Sequence, residues 1–454
     1  MLRFPDGFVW GTATSSYQIE GAVYADGRSP SSWDVFSRRE GAIADGSSGH
    51  GACDHYRRST EDVRLLRDLK VDAYRFSIAW PRVMPDGFGR IEQRGMDFYR
   101  RLVDDLAVEG IEPFVTLYHW DHPQALEELG GWRSRQMADW FTEYALAVHE
   151  ALGDRVHYWA TLNEPWCVAF LGHAAGVHAP GHTSPAESIA AAHHLLLAHG
   201  RATTAMRAVG RNADRFGIVL NVAPVRASIV DPPSEDDIRR IDGTRNRWFL
   251  DAVLEGHYPV DVLADVGEWA DCVQDGDTHE IAAPIDWLGV NYYNDEIVCA
   301  VAAGESTSPS PYPSTRTAMT AEPVGTPTDI GWPITPSGLS VLLTSMHRRY
   351  PSLPPIYLTE NGAAFHDVAE HGRCVDRRRI DYLDAHLRAL HDSLGAGVDV
   401  RGYFAWSLMD NFEWSHGYSQ RFGLVHVDYE TLERTPKASY HWYAQICRLN
   451  GLGE

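Results

Sequence analysis

No stretch of the 454 residues approaches the ~18 consecutive apolar positions that would cross a bilayer. No CxxC or comparable spacing joins Cys53, Cys167, Cys272, Cys299, Cys374 and Cys447, which reads as reduced thiols in a cytoplasm rather than a disulfide framework. The opening Met1-Leu2-Arg3-Phe4-Pro5 has no apolar leader, which agrees with a cytoplasmic protein. Basic residues are in the minority, 40 Lys and Arg against 62 Asp and Glu, for a formal net charge of −22. That balance repels phosphate backbones and anionic lipid, so nucleic-acid and membrane-surface roles are disfavoured, while an oligomer stays open. The first strand runs into Thr12-Ala13-Thr14-Ser15-Ser16-Tyr17-Gln18, which lacks the glycines of a phosphate loop. There is no Gly-x-Ser-x-Gly elbow, and His193-His194 has no carboxylate or Cys at ligand spacing, so neither a metal nor a cofactor is expected.

What the chain has in quantity is flat aromatics with a polar edge, 15 Trp and 20 Tyr. Such side chains fill cores, and they also hold sugar rings, whose C–H faces are apolar and whose rims are hydroxyls. Eight short runs rich in β-branched and aromatic residues, 8–12, 72–78, 112–118, 157–162, 216–221, 286–291, 356–359 and 401–406, read as strands. Several are near-continuously apolar, as parallel strands covered on both faces are. Amphipathic stretches lie between them: Ile380, Leu383, Leu387, Leu390 and Leu394 share one helix face, as do Val63, Leu66 and Leu69, and Tyr99, Leu102, Val103 and Leu106. The alternation predicts an α/β fold, a single (β/α)8 barrel domain over 1–454, with extended βα loops as the rim of its site. An open doubly wound sheet is the competitor. The Ser/Pro/Thr-rich tract 306–328 reads as a rim loop.

Functional groups of a parallel barrel sit at the C-terminal ends of its strands. Strand four ends in Thr161-Leu162-Asn163-Glu164-Pro165 and strand seven in Leu358-Thr359-Glu360-Asn361-Gly362. Pro165 fixes the turn after Glu164, and Gly362 is expected to supply an unusual backbone angle after Glu360. Two opposed carboxyls suit glycosidic cleavage: the departing oxygen must be protonated, and the anomeric carbon needs a nucleophile or an anion. One carboxyl has to stay protonated near neutral pH while the other stays ionised, which different surroundings can arrange. A retaining enzyme holds them ~5–5.5 Å apart.

Seven stretches, in this order, resemble glycoside hydrolase family 1. They are Phe8-Val9-Trp10-Gly11 with Ser16-Tyr17-Gln18-Ile19-Glu20-Gly21; Tyr74-Arg75-Phe76-Ser77-Ile78-Ala79-Trp80-Pro81-Arg82; His119-Trp120-Asp121; Thr161 to Trp166; Gly289-Val290-Asn291-Tyr292-Tyr293; Thr359 to Gly362; and Trp406-Ser407-Leu408-Met409-Asp410-Asn411-Phe412-Glu413-Trp414. The resemblance covers essentially the whole chain and implies a retaining β-glucosidase acting on small β-glucosides or oligosaccharides. It implies Glu164 as general acid/base and Glu360 as nucleophile, with Arg75 and Tyr293 orienting the nucleophile. Gln18, His119, Asn163, Glu413 and Trp414 would grip sugar hydroxyls, Trp406 would underlie the sugar ring, and Trp166 and Trp332 would line the leaving-group side. A cis peptide at Trp406–Ser407 is implied too.

Taken singly, Arg75 could neutralise any buried acid, His119 could be a core histidine, and Tyr293 and Trp406 could be packing. Trp10, Trp80 and Trp120 read as structural. Two departures from the family pattern, His122 and Asn294, are expected at the rim, where they would bear on the leaving group. Glu413 argues for unphosphorylated substrates. The alternatives are a sugar-binding barrel without chemistry, a 6-phospho-β-glucosidase, an inverting hydrolase and a transglycosylase.

Overall fold

The computed structural model describes residues 2–302 and 309–453. Its centre is a closed barrel of eight parallel strands: β1 Val9–Ala13, β2 Ala73–Ser77, β3 Glu112–Tyr118, β4 Tyr158–Asn163, β5 Arg215–Asn221, β6 Trp287–Asn291, β7 Ile356–Asn361 and β8 Val400–Trp406. Each pairs with its neighbours in chain order, and β8 closes on β1 through Gly402 opposite Val9 and Trp406 opposite Ala13. A principal helix follows each strand: α1 His55–Leu69, α2 Gln93–Val108, α3 Gln136–Leu152, α4 Pro185–Val209, α5 Trp248–Glu255, α6 Pro336–Arg349, α7 Arg377–Gly395 and α8 Ala438–Leu449. The predicted apolar stripes face inward, with Val63, Leu66 and Leu69 buried on α1 and Leu383, Leu387 and Leu390 on α7. Among the described residues no helix is long and apolar enough to cross a membrane.

Two layers of packing follow from the alternation of side chains along each strand. Outward-facing residues meet the helices in one large apolar cluster. Inward-facing residues plug the barrel: Phe114, Trp287, Tyr357 and Phe404 pack against Ala13, Ala73, Ala160 and Val219. Large rings fit only because small residues stand opposite. At Gly11 an added Cβ would lie 2.3 Å from the Phe404 ring, inside van der Waals contact. This plug floors the cavity at the strands' C-terminal ends. The ring is also tied shut by its termini: Leu2 pairs with Leu452, and Trp10 Nε1 donates to Asn450 Oδ1 over 2.9 Å.

The rim is more structured than a plain loop reading suggests. Within 306–328, Ala318–Thr320 forms a strand that pairs with Glu296–Ala300, which in turn pairs with Val225–Ala227. Positions 306–308 of that tract lie outside the described residues. A buried ion network ties together the segments that follow β7 and β8. Lys437 Nζ, wholly shielded from solvent, reaches Asp367 over 2.5 Å and Asp410 over 2.7 Å. Arg379 pairs with Asp367 and Asp376 and donates to the carbonyls of Ala363 and Phe422. Removing one partner of such a network strands a charge in low dielectric. Lys437→Met is therefore expected to destabilise the fold by roughly 3–5 kcal/mol, read as a lower midpoint in urea unfolding.

Candidate active site

Glu164 and Glu360 stand at the C-terminal ends of β4 and β7, with β5 and β6 between them, and are placed there by different local means. Glu164 follows β4 with φ +47°, a left-handed conformation disfavoured for a residue with a side chain, and its N–H donates to Val219 O on β5 over 2.9 Å. Glu360 stays within β7. The expectation for Gly362 is corrected: it is absent from the positive-φ glycines, and the need is for space, since an added Cβ would lie 1.9 Å from Trp406 O. Glycine there lets β7 and β8 approach behind the site. The Trp406–Ser407 peptide is cis.

Arg75, on β2 and almost fully buried, organises both carboxyls. Its Nη1 donates to Glu360 Oε1 over 2.7 Å, its Nη2 to Asn163 Oδ1 over 2.7 Å and its Nε to Thr116 Oγ1 over 3.1 Å. Tyr293 OH donates to the other oxygen of Glu360 over 2.6 Å. Asn291, at the end of β6, donates to Glu164 Oε1 over 2.5 Å and to Asn163 Oδ1 over 3.1 Å, while its own Oδ1 accepts from Thr359. The motif Gly289 to Tyr293 contains Asn291 without giving it a role; the strand-end rule that points to Glu164 and Glu360 applies equally to it.

The two carboxyls are unequal. Burial, then the charge of Glu360, pushes Glu164 up to about 7. Burial raises Glu360 as well, but the Arg75 cation and the Tyr293 hydroxyl act against it and favour its ionised form. Tyr293 keeps its proton because burial raises its phenol far above the ordinary range. His119 is held well below its usual value by burial and by Arg75, so its imidazole is neutral.

Glu164 and Glu360 open on one cavity of ≈ 380 Å³, a size suited to a small ligand. Of the residues singled out in the sequence, His119, Trp166, Tyr293, Trp332, Trp406, Glu413 and Trp414 line it with them. Trp406 stacks on His119 with centroids 5.9 Å apart, and Trp332 meets Tyr293 edge-on at 5.2 Å. Glu413 Oε2 and His119 Nδ1 are buried without a hydrogen-bond partner, as groups awaiting hydroxyls would be. Burial, followed by the charges of Glu360 and Glu164, pushes Glu413 up to about 8.

Arg75 and Asn163 stand behind the lining rather than in it, and so does Gln18. The Gln18 amide donates to Asn411 Oδ1 over 3.0 Å and to Phe412 O over 2.9 Å, bracing the segment that carries Glu413. Trp10 and Trp80 are buried away from the cavity, but Trp120, read as structural, lines it and sits 4.4 Å from Trp414. Asn294 lines the cavity as expected. His122 does not: it is buried between Tyr118 OH and Glu127, both at 3.1 Å. Cys167, Asn221 and Arg245, which sequence reasoning missed, also line the cavity. Arg245 lies 4.4 Å over the Trp166 ring.

His193 does find a carboxylate, Asp277 at 2.9 Å, from a segment too distant in sequence for spacing to reveal; Arg135 shares that carboxylate. Among the described residues, one trio of possible metal ligands, Asp251, Glu255 and His257, lies together. Arg349 and Tyr350 already engage Asp251 there.

A sequence model described as Glycosyl hydrolase family 1 matches residues 1–452. The chain belongs to glycosyl hydrolase family 1. This family 1 chain is 48% identical to thermostable beta-glucosidase B of Thermobispora bispora, over 99% of its own length and 92% of the relative's. It is 45% identical to the bifunctional beta-D-glucosidase/beta-D-fucosidase of Bifidobacterium breve, over 98% of each chain. Its fold superposes with TM-score 0.92 on the Thermotoga maritima family 1 glycoside hydrolase solved with a cyclophellitol analogue transition state mimic, at 43% identity and 99% coverage of both chains.

Tyr293→Phe removes a donor to the Glu360 carboxylate and is expected to raise its pKa. The acidic limb of the kcat/KM profile should then move to higher pH, and kcat should fall roughly 10- to 100-fold, the worth of one hydrogen bond to a charged group. Initial rates across pH check both.

Proposed function

We propose that the protein is a retaining β-glucosidase that removes terminal non-reducing β-D-glucosyl residues from β-glucosides or cello-oligosaccharides, with β-galactosides and β-fucosides as side substrates. The observation that carries this reading is the pairing of unlike carboxyls on one cavity: Glu360 against Arg75 and Tyr293, Glu164 buried and pushed up to about 7. In the first step Glu360 attacks the anomeric carbon while Glu164 gives its proton to the departing oxygen. In the second, Glu164, now a carboxylate, takes a proton from water as the water displaces Glu360 from the sugar. Names of family 1 relatives, the glucosidase/fucosidase among them, support the choice of glycone.

His119, Glu413 and Trp414 would hold the sugar hydroxyls, and Trp406 would underlie the ring. Gln18 and Asn163 would act with them from behind, one bracing the Glu413 segment and the other fixed by Arg75. Trp166 and Trp332 would face the leaving group. The argument against a phosphorylated sugar changes with the structure. Glu413 pushed up to about 8 carries its proton at neutral pH, so repulsion by that group alone is weak. A phosphate would instead enter a pocket lined by five acidic residues, Glu164, Asp295, Glu296, Glu360 and Glu413, whose only lining Arg or Lys, among the described residues, is Arg245. All six cysteines are unpaired, which supports a reducing, cytoplasmic setting. The chain would work as one (β/α)8 unit.

Glu360→Gly should abolish turnover of an aryl β-glucoside and regain part of it in azide or formate, which can occupy the vacated volume as an external nucleophile. Rescue with an α-linked azide adduct supports double displacement on Glu360; a mutant as active as the parent would remove Glu360 from the mechanism. Glu413→Ser should lower kcat/KM for glucosides roughly tenfold or more by removing a buried hydrogen-bonding partner. A glycone panel that includes 6-phosphoglucosides checks it.

A further inference from the structure

Both oxygens of Glu164 are held. Asn291 donates to Oε1, and the thiol of Cys167 donates to Oε2 over 3.0 Å. The sulfur is itself oriented: Asn221 Nδ2, at the end of β5, donates to Sγ over 3.3 Å, which leaves the S–H free for Glu164. Cys167 opens a π-helical segment, Cys167–Ala174, and it lies on the cavity wall. That segment places a side chain three residues beyond Glu164 back against its carboxyl.

We propose that Cys167 is a positioning residue for the acid/base step: its thiol orients the Glu164 carboxyl and, as a deliberately weak donor, sets the pH at which that carboxyl releases its proton. This rests on Glu164 being the acid/base. A thiol donates more weakly than a hydroxyl or an amide. A strong donor on Oε2 would favour the carboxylate and drain the acid at neutral pH, whereas an apolar neighbour would hold the proton too long. Burial and the Glu164 charge raise the thiol well above its ordinary range, so it keeps its own proton in both halves of the reaction. Other titratable groups facing this pair are Glu360 across the cavity with Arg75 behind it, Tyr293 and Glu413 on the cavity wall, and Arg245 near the sulfur. None of them is altered by substitution at 167.

The test uses the full chain and an alkyl β-glucoside, whose departure needs a proton, with kcat/KM followed across pH. Cys167→Ser, nearly isosteric and a stronger donor, should move the basic limb about half a pH unit down, and Cys167→Ala about half a unit up, the scale of one weak hydrogen bond. Thermal midpoints of both variants separate this from damage to the fold, because lost stability lowers activity without moving the limb in opposite directions. A basic limb that stays in place in both variants overturns the proposal. Glu164→Gln, measured alongside, keeps the two readings distinguishable. If its basic limb vanishes, an immobile limb in the Cys167 variants counts against Cys167 alone. If the limb survives, the acid assignment of Glu164 and the proposal fall together.

Discussion

The contact on which the site depends is the ion pair between Arg75 and Glu360. A guanidinium this deeply buried is tolerable only beside a negative charge, and a carboxylate at the end of β7 is kept ionised only by a cation at contact distance. Each makes the other possible. The fork of the guanidinium then does more than neutralise: a second arm holds Asn163, and through Asn163 and Asn291 the same network reaches Glu164. Four strands, β2, β4, β6 and β7, are thereby held in register at the point where the reaction would occur.

From that asymmetry the division of labour follows. Glu360 has a cation and a phenol at its oxygens, whereas Glu164 has an amide, a thiol and the repulsion of Glu360. Burial raises both carboxyls, and the cation and phenol at the oxygens of Glu360 act against that rise and favour its charged form. Glu413 extends the same physics, since a third carboxyl buried near two others holds its proton and can donate a hydrogen bond as well as accept one. The aromatic wall serves these electrostatics by excluding water, which strengthens every charge interaction within it.

The strands were legible because burial on both faces leaves near-continuous apolar runs, and all eight observed strands overlap their predicted spans. Strand-end position then pointed to Glu164 and Glu360 without knowledge of their neighbours. Readings that needed neighbours fared differently. Gly362 was expected to relieve a backbone angle, but it relieves a collision with Trp406, a residue on the next strand. Two positions from Trp120, His122 reads as a rim residue, yet its side chain turns towards Tyr118 and Glu127 while Trp120 turns into the cavity. The spacing of Cys167 speaks only to its redox state, and that a π-helical segment brings it back to Glu164 is visible only in the fold.

The sequence by itself determined the elements, their alternation and the positions of the carboxyls at strand ends, because periodicity and strand-end location are properties of neighbouring residues. Only the tertiary structure decided which groups meet. Arg75 and Glu360 are 285 residues apart along the chain, and Gln18 and Asn411 are 393 apart. Protonation states belong to that second kind of information, since they depend on burial and on the nearest charges, and both are set by barrel closure.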